Sequence, residues 1–463
     1  MSRYCRNTLS LLILLLFSTL SLSWSQESKP RHAPNALPGV EPEMLTPEYW
    51  IALNDDAAKI IMSPDEIKQF NKQVRSKEGG NSRYEGPLRN PVLPLDLPDT
   101  LPSSILAKWL ASNQEKLMMP DDMWGSRDFY DGRNTIYNDD MKQAIVDKMN
   151  MEGIPNVINR RFGIIIKHAN VRQYPTHVPG YHDTETELDR YQITDLCIGN
   201  PVAILHQSHD GDFLYVESPI ARGWVGTGDV AIDSRESIRD LTDTSKLLMA
   251  TGNKVPVYGD PAFKNFALYC FMSATLPLIS KDGTGYTVKL PYRKPDGSLG
   301  IANGYIKPNA DVNTGHLPYS KSSIITQMFK LLNTPYGWHG QDNKRDCAGT
   351  LRIVFRCCGI VTGRYLGIAS IHRTLFEPDM EIDDKMAAVA KIEPVITIAS
   401  DPGHVTLYLG QAHNGMLYFM HQGGWGYKDE NGDHLYVNRV SINAANHSWY
   451  NIKSPITFTT IKN

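Results

Sequence analysis

The spacing of apolar residues predicts helices in the first part of the chain. Between residues 47 and 155 apolar positions recur every three or four residues, the period of one helix face. Ser63-Pro64-Asp65-Glu66 has the composition of a helix start. The pattern predicts helices at residues 47–62, 64–79, 103–117 and 139–151. We therefore assign residues 46–159 to a mostly helical N-terminal segment, and we expect it to wrap other domains.

The pattern then changes to short apolar or alternating runs that are separated by tight turns. His209-Asp210-Gly211-Asp212 is such a turn between residues 161 and 232, and Lys281-Asp282-Gly283 is another between residues 254 and 307. Short strands joined by tight turns are typical of small antiparallel barrels. We expect two all-β barrels in tandem, at residues 160–240 and 241–315.

The last part of the chain combines one strong helical pattern with alternating strands. The apolar residues of the helix recur at spacings of three and four and share one face: Leu351, Val354, Phe355 and Cys358. Alternating runs follow at residues 403–410, 416–421 and 435–437. A helix packed on an antiparallel sheet makes an α+β domain, which we assign to residues 316–463.

The N-terminus has the pattern of a secretory signal peptide. Arg3 and Arg6 precede a mostly apolar run, and Ser23 and Ser25 supply small residues at the expected cleavage position. We assign residues 1–25 to the signal peptide and the proline-rich residues 26–45 to a linker. Cleavage would remove Cys5 and leave no cysteine placed for lipid attachment. We therefore expect a periplasmic or secreted protein that meets the membrane only through this leader.

Composition narrows the classes of function. The chain has 463 residues, 41% of them apolar, and a net charge of −3, which argues against a nucleic-acid-binding face. Five cysteines follow the leader, so at least one thiol stays unpaired within the chain. Because C-x-x-C pairs are missing from the sequence, a zinc ribbon and a disulfide framework are both disfavoured.

Cys347 is the first candidate for chemistry. It stands in a polar turn just before the apolar helix, where free backbone N–H groups and the helix dipole favour a thiolate. A thiolate is the form of cysteine that attacks a carbonyl carbon. The competing interpretation is a buried structural cysteine, so partners elsewhere in the chain have to decide.

Two histidines on neighbouring predicted strands supply such partners. His404 alternates with apolar residues, and we expect its face of the strand to point toward Cys347 while the opposite face packs. His421 ends the next strand, where a hairpin would place it beside His404. A thiol nucleophile needs a base, and the base needs an orienting group. We predict these roles for Cys347, His404 and His421 respectively.

The same residues carry a resemblance to a known family. Asp346-Cys347-Ala348-Gly349, Gly403 to Gly410, Met420-His421 and Pro335-Tyr336-Gly337-Trp338 resemble, in order and spacing, the NlpC-type family of papain-like cell-wall cysteine peptidases. The two predicted barrels resemble bacterial SH3-like domains, the first through Arg222-Gly223-Trp224-Val225.

The resemblance implies a function and a substrate. It makes the chain a cysteine peptidase that hydrolyses peptidoglycan stem peptides or muropeptides, between γ-D-glutamate and a diamino acid, without a cofactor or metal. It also implies substrate contacts for Tyr336, Trp338, Asp346 and Ala348. Asp346 can alternatively cap the helix, and the two aromatic residues can close a core. Ala348 and His339 stand where the family usually has serine and glycine, so detailed specificity is left open.

Other interpretations make different predictions. The same three residues can serve an amidase that cuts between glycan and peptide, and a chain with a vestigial site would only bind the wall. A metal site built on His404 and His421 lacks a third ligand at a familiar spacing. His206 and His209 read as a solvated hairpin end, and Asp429 to Asp433 as a hairpin turn rather than a calcium loop.

Overall fold

The computed structural model describes most of the chain beyond its N-terminus. The described residues are 36–76, 92–118, 121–122, 125–126, 128–182, 188–364, 366, 373–376, 379–401, 403–428, 434–445 and 456–462. The predicted signal peptide and the predicted turn at residues 429–433 lie outside them. Among the described helices none is long and apolar enough to span a membrane.

The N-terminal segment is divided between two domains. Its helices are α1 (Pro47–Ala52), α2 (Pro64–Ser76), α3 (Ser103–Met118) and α4 (Asp139–Lys148). The first two pack on the C-terminal domain, whereas α3 and α4 pack on the first β-sheet. Ser63 and Glu66 form a reciprocal capping box that starts α2. Helix α1 stops at Ala52 rather than near Met62, because Asn54 turns its side chain back to the Trp50 carbonyl.

Residues 36–45 correct the predicted linker. Leu37, Val40 and Met44 are each at most 7% exposed and pack into the core of the C-terminal domain. The Tyr418 hydroxyl donates a hydrogen bond to the Gly39 carbonyl, which fixes this arm further. Because apolar residues recur between its prolines, the segment binds a surface instead of spacing two domains.

The first β-domain is one antiparallel seven-stranded sheet in the order β11-β5-β8-β9-β10-β6-β7. Two short two-stranded sheets precede it: β1 (Thr100–Pro102) pairs with β4 (Val157–Asn159), and β2 (Asp121–Asp122) pairs with β3 (Gly125–Ser126). The seven strands of the large sheet are β5 (Arg161–Ile165), β6 (Ala169–Arg172), β7 (Gln192–Leu196), β8 (Pro201–Gln207), β9 (Phe213–Glu217), β10 (Arg222–Gly226) and β11 (Val230–Asp233). Helix α5 (Arg235–Thr242) follows. His206 corrects the solvated-hairpin interpretation, since it is 7% exposed and its Nε2 bonds the Asn150 carbonyl at 2.9 Å.

The second β-domain is a further antiparallel seven-stranded sheet in the order β14-β13-β17-β16-β15-β12-β18. Its strands are β12 (Leu247–Ala250), β13 (Lys254–Tyr258), β14 (Phe266–Phe271), β15 (Thr275–Asp282), β16 (Gly285–Arg293), β17 (Leu299–Ile306) and β18 (Val312–Thr314). The described residues thus contain two seven-stranded antiparallel sheets, and their assignment as two SH3-like barrels in tandem stays a prediction.

The C-terminal domain combines three helices with one antiparallel sheet of order β19-β24-β20-β21-β22-β23. Its elements are α6 (Lys321–Phe329), α7 (Cys347–Cys357), β19 (Arg373–Phe376), α8 (Ile382–Val389), β20 (Thr397–Asp401), β21 (His404–Gln411), β22 (Leu417–Lys428), β23 (His434–Ala444) and β24 (Ile456–Thr460). This is the predicted α+β arrangement. Buried clusters cover both sides of the sheet, with α7 on one side and α8 on the other.

Candidate active site

Cys347 is the first residue of α7, as the apolar pattern predicts. Asp346 is the N-cap, and its Oδ1 accepts the Gly349 backbone N–H at 2.6 Å. This capping bond satisfies one of the free donors at the helix start and fixes the first turn. The nucleophile is thereby held on a rigid element whose opposite face is anchored in the core by Leu351, Val354 and Phe355.

Three side chains on adjacent strands form a hydrogen-bonded relay. His404 Nε2 lies 2.7 Å from His421 Nδ1, and His421 Nε2 lies 2.9 Å from Asn443 Oδ1. The amide oxygen accepts, so neutral His421 carries its proton on Nε2 and accepts through Nδ1. His404 must then donate from Nε2, which leaves its Nδ1 unprotonated. This tautomer is the one that the predicted base role of His404 requires.

The start of β21 brings His404 close to Cys347. The backbone of Val405, the residue that follows His404, acts on the Cys347 thiol and lowers its pKa. Asp401 Oδ1 accepts the His404 backbone N–H at 2.9 Å and holds the beginning of the strand.

The predicted packing faces of β21 were wrong. Leu407 and Leu409 pack on the side of the nucleophile helix, whereas Tyr408 packs in the cluster on the opposite side. Because the sheet is buried on both sides, alternation does not separate a catalytic face from a packed face. His404 stands at the first position of the strand and pairs with His421 there.

Burial sets the protonation states of the site. It raises the pKa of the Cys347 thiol to about 12, with a further contribution from the Asp346 charge. It lowers the pKa of His421 to about 4, and that of His404 well below its ordinary value. The resting site therefore holds a neutral thiol and a neutral imidazole. The stabilised thiolate expected from the helix dipole is outweighed by desolvation and by the neighbouring carboxylate.

Asp346 is committed to contacts within the protein. Its side chain is 6% exposed and forms an ion pair with Arg364, whose side chain is 2% exposed. The Arg364 Nε also donates to the Ile193 carbonyl in the first β-domain at 3.1 Å. Burial raises the pKa of Asp346, but the Arg364 and His339 charges and the hydrogen bonds from Arg364 and Gly349 together lower it to about 2. The capping role is thus present, and contact of Asp346 with a substrate amino group stays a prediction.

The other predicted substrate residues lie in three different environments. Tyr336 is half-buried, and desolvation together with the nearby Asp346 carboxylate and Cys347 raises its pKa. The Trp338 ring stacks on His339 at 4.1 Å and lies under the Arg190 guanidinium at 4.6 Å. Ala348 is 3% exposed and belongs to the core of the domain.

The first β-domain contacts this site directly. His339 Nδ1 lies 2.6 Å from the Gln192 carbonyl and donates to it, which places this ring against strand β7. Gly340 follows with φ of +88°, and a Cβ there would approach the Asp195 Cβ to 2.6 Å. Only glycine fits this close approach. His339 therefore serves a domain contact at a position where the family usually has glycine.

Asn443 and Arg364 are site residues that the sequence analysis missed. Asn443 had a usable signal, because Ser441 and Asn443 alternate with Val440 and Ile442 along the strand that pairs with His421. Arg364 stands in a loop after the helix, so no period marks it.

One cluster of potential metal ligands lies outside the relay. Ligand atoms of His168, Asp195 and Cys197 lie within 4.8 Å of one another. Arg352 donates to the Asp195 carboxylate at 3.1 Å, and the positive charge of Arg345 acts on the same group. Cations already neutralise this carboxylate, so the cluster is an ionic junction between domains rather than a metal site.

A solved structure matches most of this chain. An NlpC/P60 endopeptidase from Photobacterium damselae subsp. piscicida superposes with a TM-score of 0.68 at 19% identity, covering 88% of this chain and 95% of that one. The chain has the NlpC/P60 endopeptidase fold.

Further comparisons add one domain assignment. The family model of an SH3 domain of the SH3b1 type matches residues 179–226, which lie in the first β-domain. An NlpC/P60 family protein from Bacillus cereus matches with a TM-score of 0.46 at 16% identity, covering 65% of this chain and all of that one. No curated protein matches the chain.

Proposed function

We propose that this chain is an exported cysteine peptidase that hydrolyses peptidoglycan stem peptides. The observation that carries the proposal is the placement of Cys347 at the start of α7 beside the relay of His404, His421 and Asn443. The NlpC/P60 endopeptidase fold and the SH3b1-type match support a wall substrate. The leader pattern of residues 1–25 supports export to the periplasm or beyond the cell.

The mechanism follows from the protonation states. His404 Nδ1 accepts the thiol proton as the Cys347 sulfur attacks the scissile carbonyl, so no separate thiolate has to exist in the resting enzyme. His404 then gives this proton to the leaving amine, and a thioester remains on the sulfur. Water, deprotonated by His404, attacks the thioester and releases the carboxylic acid and the thiol.

The relay lowers the barrier by stabilising the imidazolium. Once His404 is protonated, its Nε2–H still donates to His421, which stays oriented by Asn443. The orienting group thereby holds the tautomer and the ring plane through both proton transfers.

The proposed bond joins γ-D-glutamate to the diamino acid of the stem peptide. We further propose that the first β-domain closes one end of the cleft and selects short, free-ended muropeptides over intact wall. Contacts between Arg190 and Trp338 and between Gln192 and His339 support this role.

Defined muropeptides test the proposal. We expect the purified chain to release a new amino group from a soluble stem tripeptide, and mass spectrometry to locate the cut before the diamino acid. Cys347→Ala should abolish release without loss of folding. Cys358→Ala, which removes a buried thiol at the other end of the same helix, should retain release.

The products separate the alternatives. A cut between muramic acid and the first alanine would show an amidase with the same nucleophile. Unchanged release by Cys347→Ala would overturn the mechanism, and binding of muropeptides without turnover by the wild-type chain would show a wall-binding protein.

A further inference from the structure

Gln422 is a buried polar side chain that lies outside the relay of His404. It is 1% exposed and follows His421 on β22. Along this strand Tyr418 and Met420 pack in the apolar cluster on the side of α7, so alternation places Gln422 on that same side. An unpaired amide at such a core position is strongly destabilising, and a glutamine there therefore needs hydrogen-bond partners.

The Gln422 amide joins the nucleophile helix to another segment of the site. Its Nε2 donates to the Pro335 carbonyl and, at 3.3 Å, to the Thr334 carbonyl. Its Oε1 accepts the hydroxyl of Thr350, which is fully buried on α7 about one turn after Cys347. Because carbonyl oxygens only accept, the amide nitrogen has to face them and the Thr350 hydroxyl has to donate. The orientation of this amide is therefore fixed.

The segment that Gln422 holds carries Tyr336. The Tyr336 backbone N–H donates to the Asn438 carbonyl on β23, and the next backbone N–H donates to the Arg345 carbonyl just before α7, both at 2.9 Å. The charge of a Cys347 thiolate contributes to the raised pKa of Tyr336, which places the phenol near the nucleophile. Backbone donors of the segment thus bind β23 and the turn before α7, while carbonyls of the same segment bind Gln422.

We propose that Gln422 is a positioning residue that sets the spacing between Tyr336 and Cys347 and thereby the affinity for the stem peptide. It lies on the strand of the relay, and its amide binds both the nucleophile helix and the segment of Tyr336. Displacement of that segment would weaken a substrate contact that the ground state and the transition state share. This inference rests on the proposed function, because it takes Tyr336 as a contact of the stem peptide.

Gln422→Met tests this connection with little change in side-chain volume. We expect KM for the soluble stem tripeptide to rise by about fivefold while kcat changes less than about twofold, because the relay stays in place. Thr350→Val removes only the hydroxyl donor and should raise KM less. The double variant should show no larger rise than Gln422→Met alone, because both substitutions break the same connection. If Gln422→Met does not fold, Thr350→Val decides, and a wild-type KM in it would overturn the proposal.

Gln422→Glu has a pH dependence that a general loss of stability does not produce. An ionised glutamate here has no proton to donate to the Pro335 carbonyl, whereas a protonated one can donate. Burial and the facing carbonyl oxygen raise the pKa of the introduced glutamate. Relative to the wild type at the same pH, we expect KM to be close to normal at about pH 5.5 and about tenfold higher at about pH 8. The KM of Gln422→Met, expressed in the same way, should not change between these pH values.

Leu409→Ala is the matched control for lost packing. Leu409 is 1% exposed and packs in the core on the side of the nucleophile helix. We expect this variant to lower the midpoint of thermal unfolding and to keep the wild-type KM. A rise in KM equal to that of Gln422→Met would assign the effect to packing and overturn the proposal. Wild-type KM values in both Gln422 variants would overturn it as well.

Binding of the tripeptide separates this inference from the proposed function. In the Cys347→Ala background, calorimetry measures the affinity without hydrolysis, and we expect Gln422→Met to weaken it by about fivefold. An unchanged Kd in this background would refute the role of Gln422, even if the wild type cleaves the tripeptide. Failure of the wild type to cleave a tripeptide that Cys347→Ala binds would instead refute the proposed function. Absence of both binding and cleavage would refute the two together.

Discussion

At the scale of single residues, two opposite charges act on Cys347 in addition to burial. The Asp346 charge raises the pKa of Cys347, and the Arg364 guanidinium lowers it. Both members of the pair are almost fully buried, so their charges act through little solvent. Arg364 is therefore a positioning residue that limits how strongly Asp346 opposes thiolate formation.

Arg364→Met should slow the chemistry of Cys347. Removing the guanidinium leaves a buried carboxylate without its cation, which costs about 3–5 kcal/mol of stability and raises the thiol pKa further. The measurement is the pH dependence of Cys347 alkylation by iodoacetamide, which should shift to higher pH. Arg364→Lys keeps the charge and should recover most of the alkylation profile while losing the contact with the Ile193 carbonyl. An alkylation profile that is identical in Arg364→Met and wild type would contradict this role.

Because two histidines have lowered pKa values in the fold, we expect the folded protein to lose stability in acid. Burial lowers the pKa of His339 to about 3 and that of His421 to about 4, against about 6.5 in an unfolded chain. Between these values the unfolded chain binds protons that the folded chain does not, so stability is full above about pH 6.5 and falls as the pH drops toward 4. Each histidine contributes about 1.4 kcal/mol per pH unit in that interval.

Urea unfolding at pH 7.5 and pH 5 measures this loss. His339→Gln removes one titrating group, so the difference between its two midpoints should be smaller than in the wild type. An equal difference in both proteins would show that His339 does not take up a proton on unfolding.

The residues found from sequence are those with a local signal. Cys347 has a helix start and an apolar face, and His404 and His421 each belong to an alternating strand. Arg364 has no period or cap to mark it, and its role depends on the Ile193 carbonyl in another domain. The neutral state of the Cys347 thiol could not be predicted from the sequence either, because it depends on how far the fold buries the thiol.

At the scale of elements, the spacing of apolar residues predicts one part of the N-terminal segment and misses another. The capping box at Ser63 and Glu66 was readable, and α2 starts where expected. The arm at residues 36–45 lacks a regular period, so its burial depends on a surface that another part of the chain provides. Proline spacing alone cannot distinguish such an arm from a free linker.

Trp50→Ala should destabilise the C-terminal domain. Trp50 is fully buried, packs against Tyr418 at 5.4 Å and donates from its indole to the Met44 carbonyl at 2.8 Å. Loss of such a ring costs about 3–5 kcal/mol, which should appear as a lower unfolding midpoint of this domain. Ile60→Ala, at a position that is 51% exposed in the same segment, should change the midpoint little. Equal midpoints for both variants would mean that Trp50 does not support the domain.

At the scale of the whole molecule, the first β-domain and the C-terminal domain share buried polar contacts. Arg352 donates to Asp195, and His339 donates to the Gln192 carbonyl. Helices α3 and α4 pack on the same β-domain, so deletion of residues 160–235 would also expose their apolar faces. Selectivity is therefore better tested by one surface substitution than by removing the domain.

Arg190→Ala is the substitution that the geometry singles out for substrate selection. Its guanidinium lies over the ring of Trp338, a predicted substrate residue, and so joins this ring to the first β-domain. Removing it should raise the ratio of kcat/KM for a cross-linked wall fragment to that for the soluble tripeptide by a few fold, because only the larger substrate needs the space. Arg133→Ala is the matched control, since the Arg133 side chain is 88% exposed and pairs with Asp131 on the helical side of the β-domain. A ratio that stays at the wild-type value in Arg190→Ala would show that the first β-domain does not restrict the cleft through this contact.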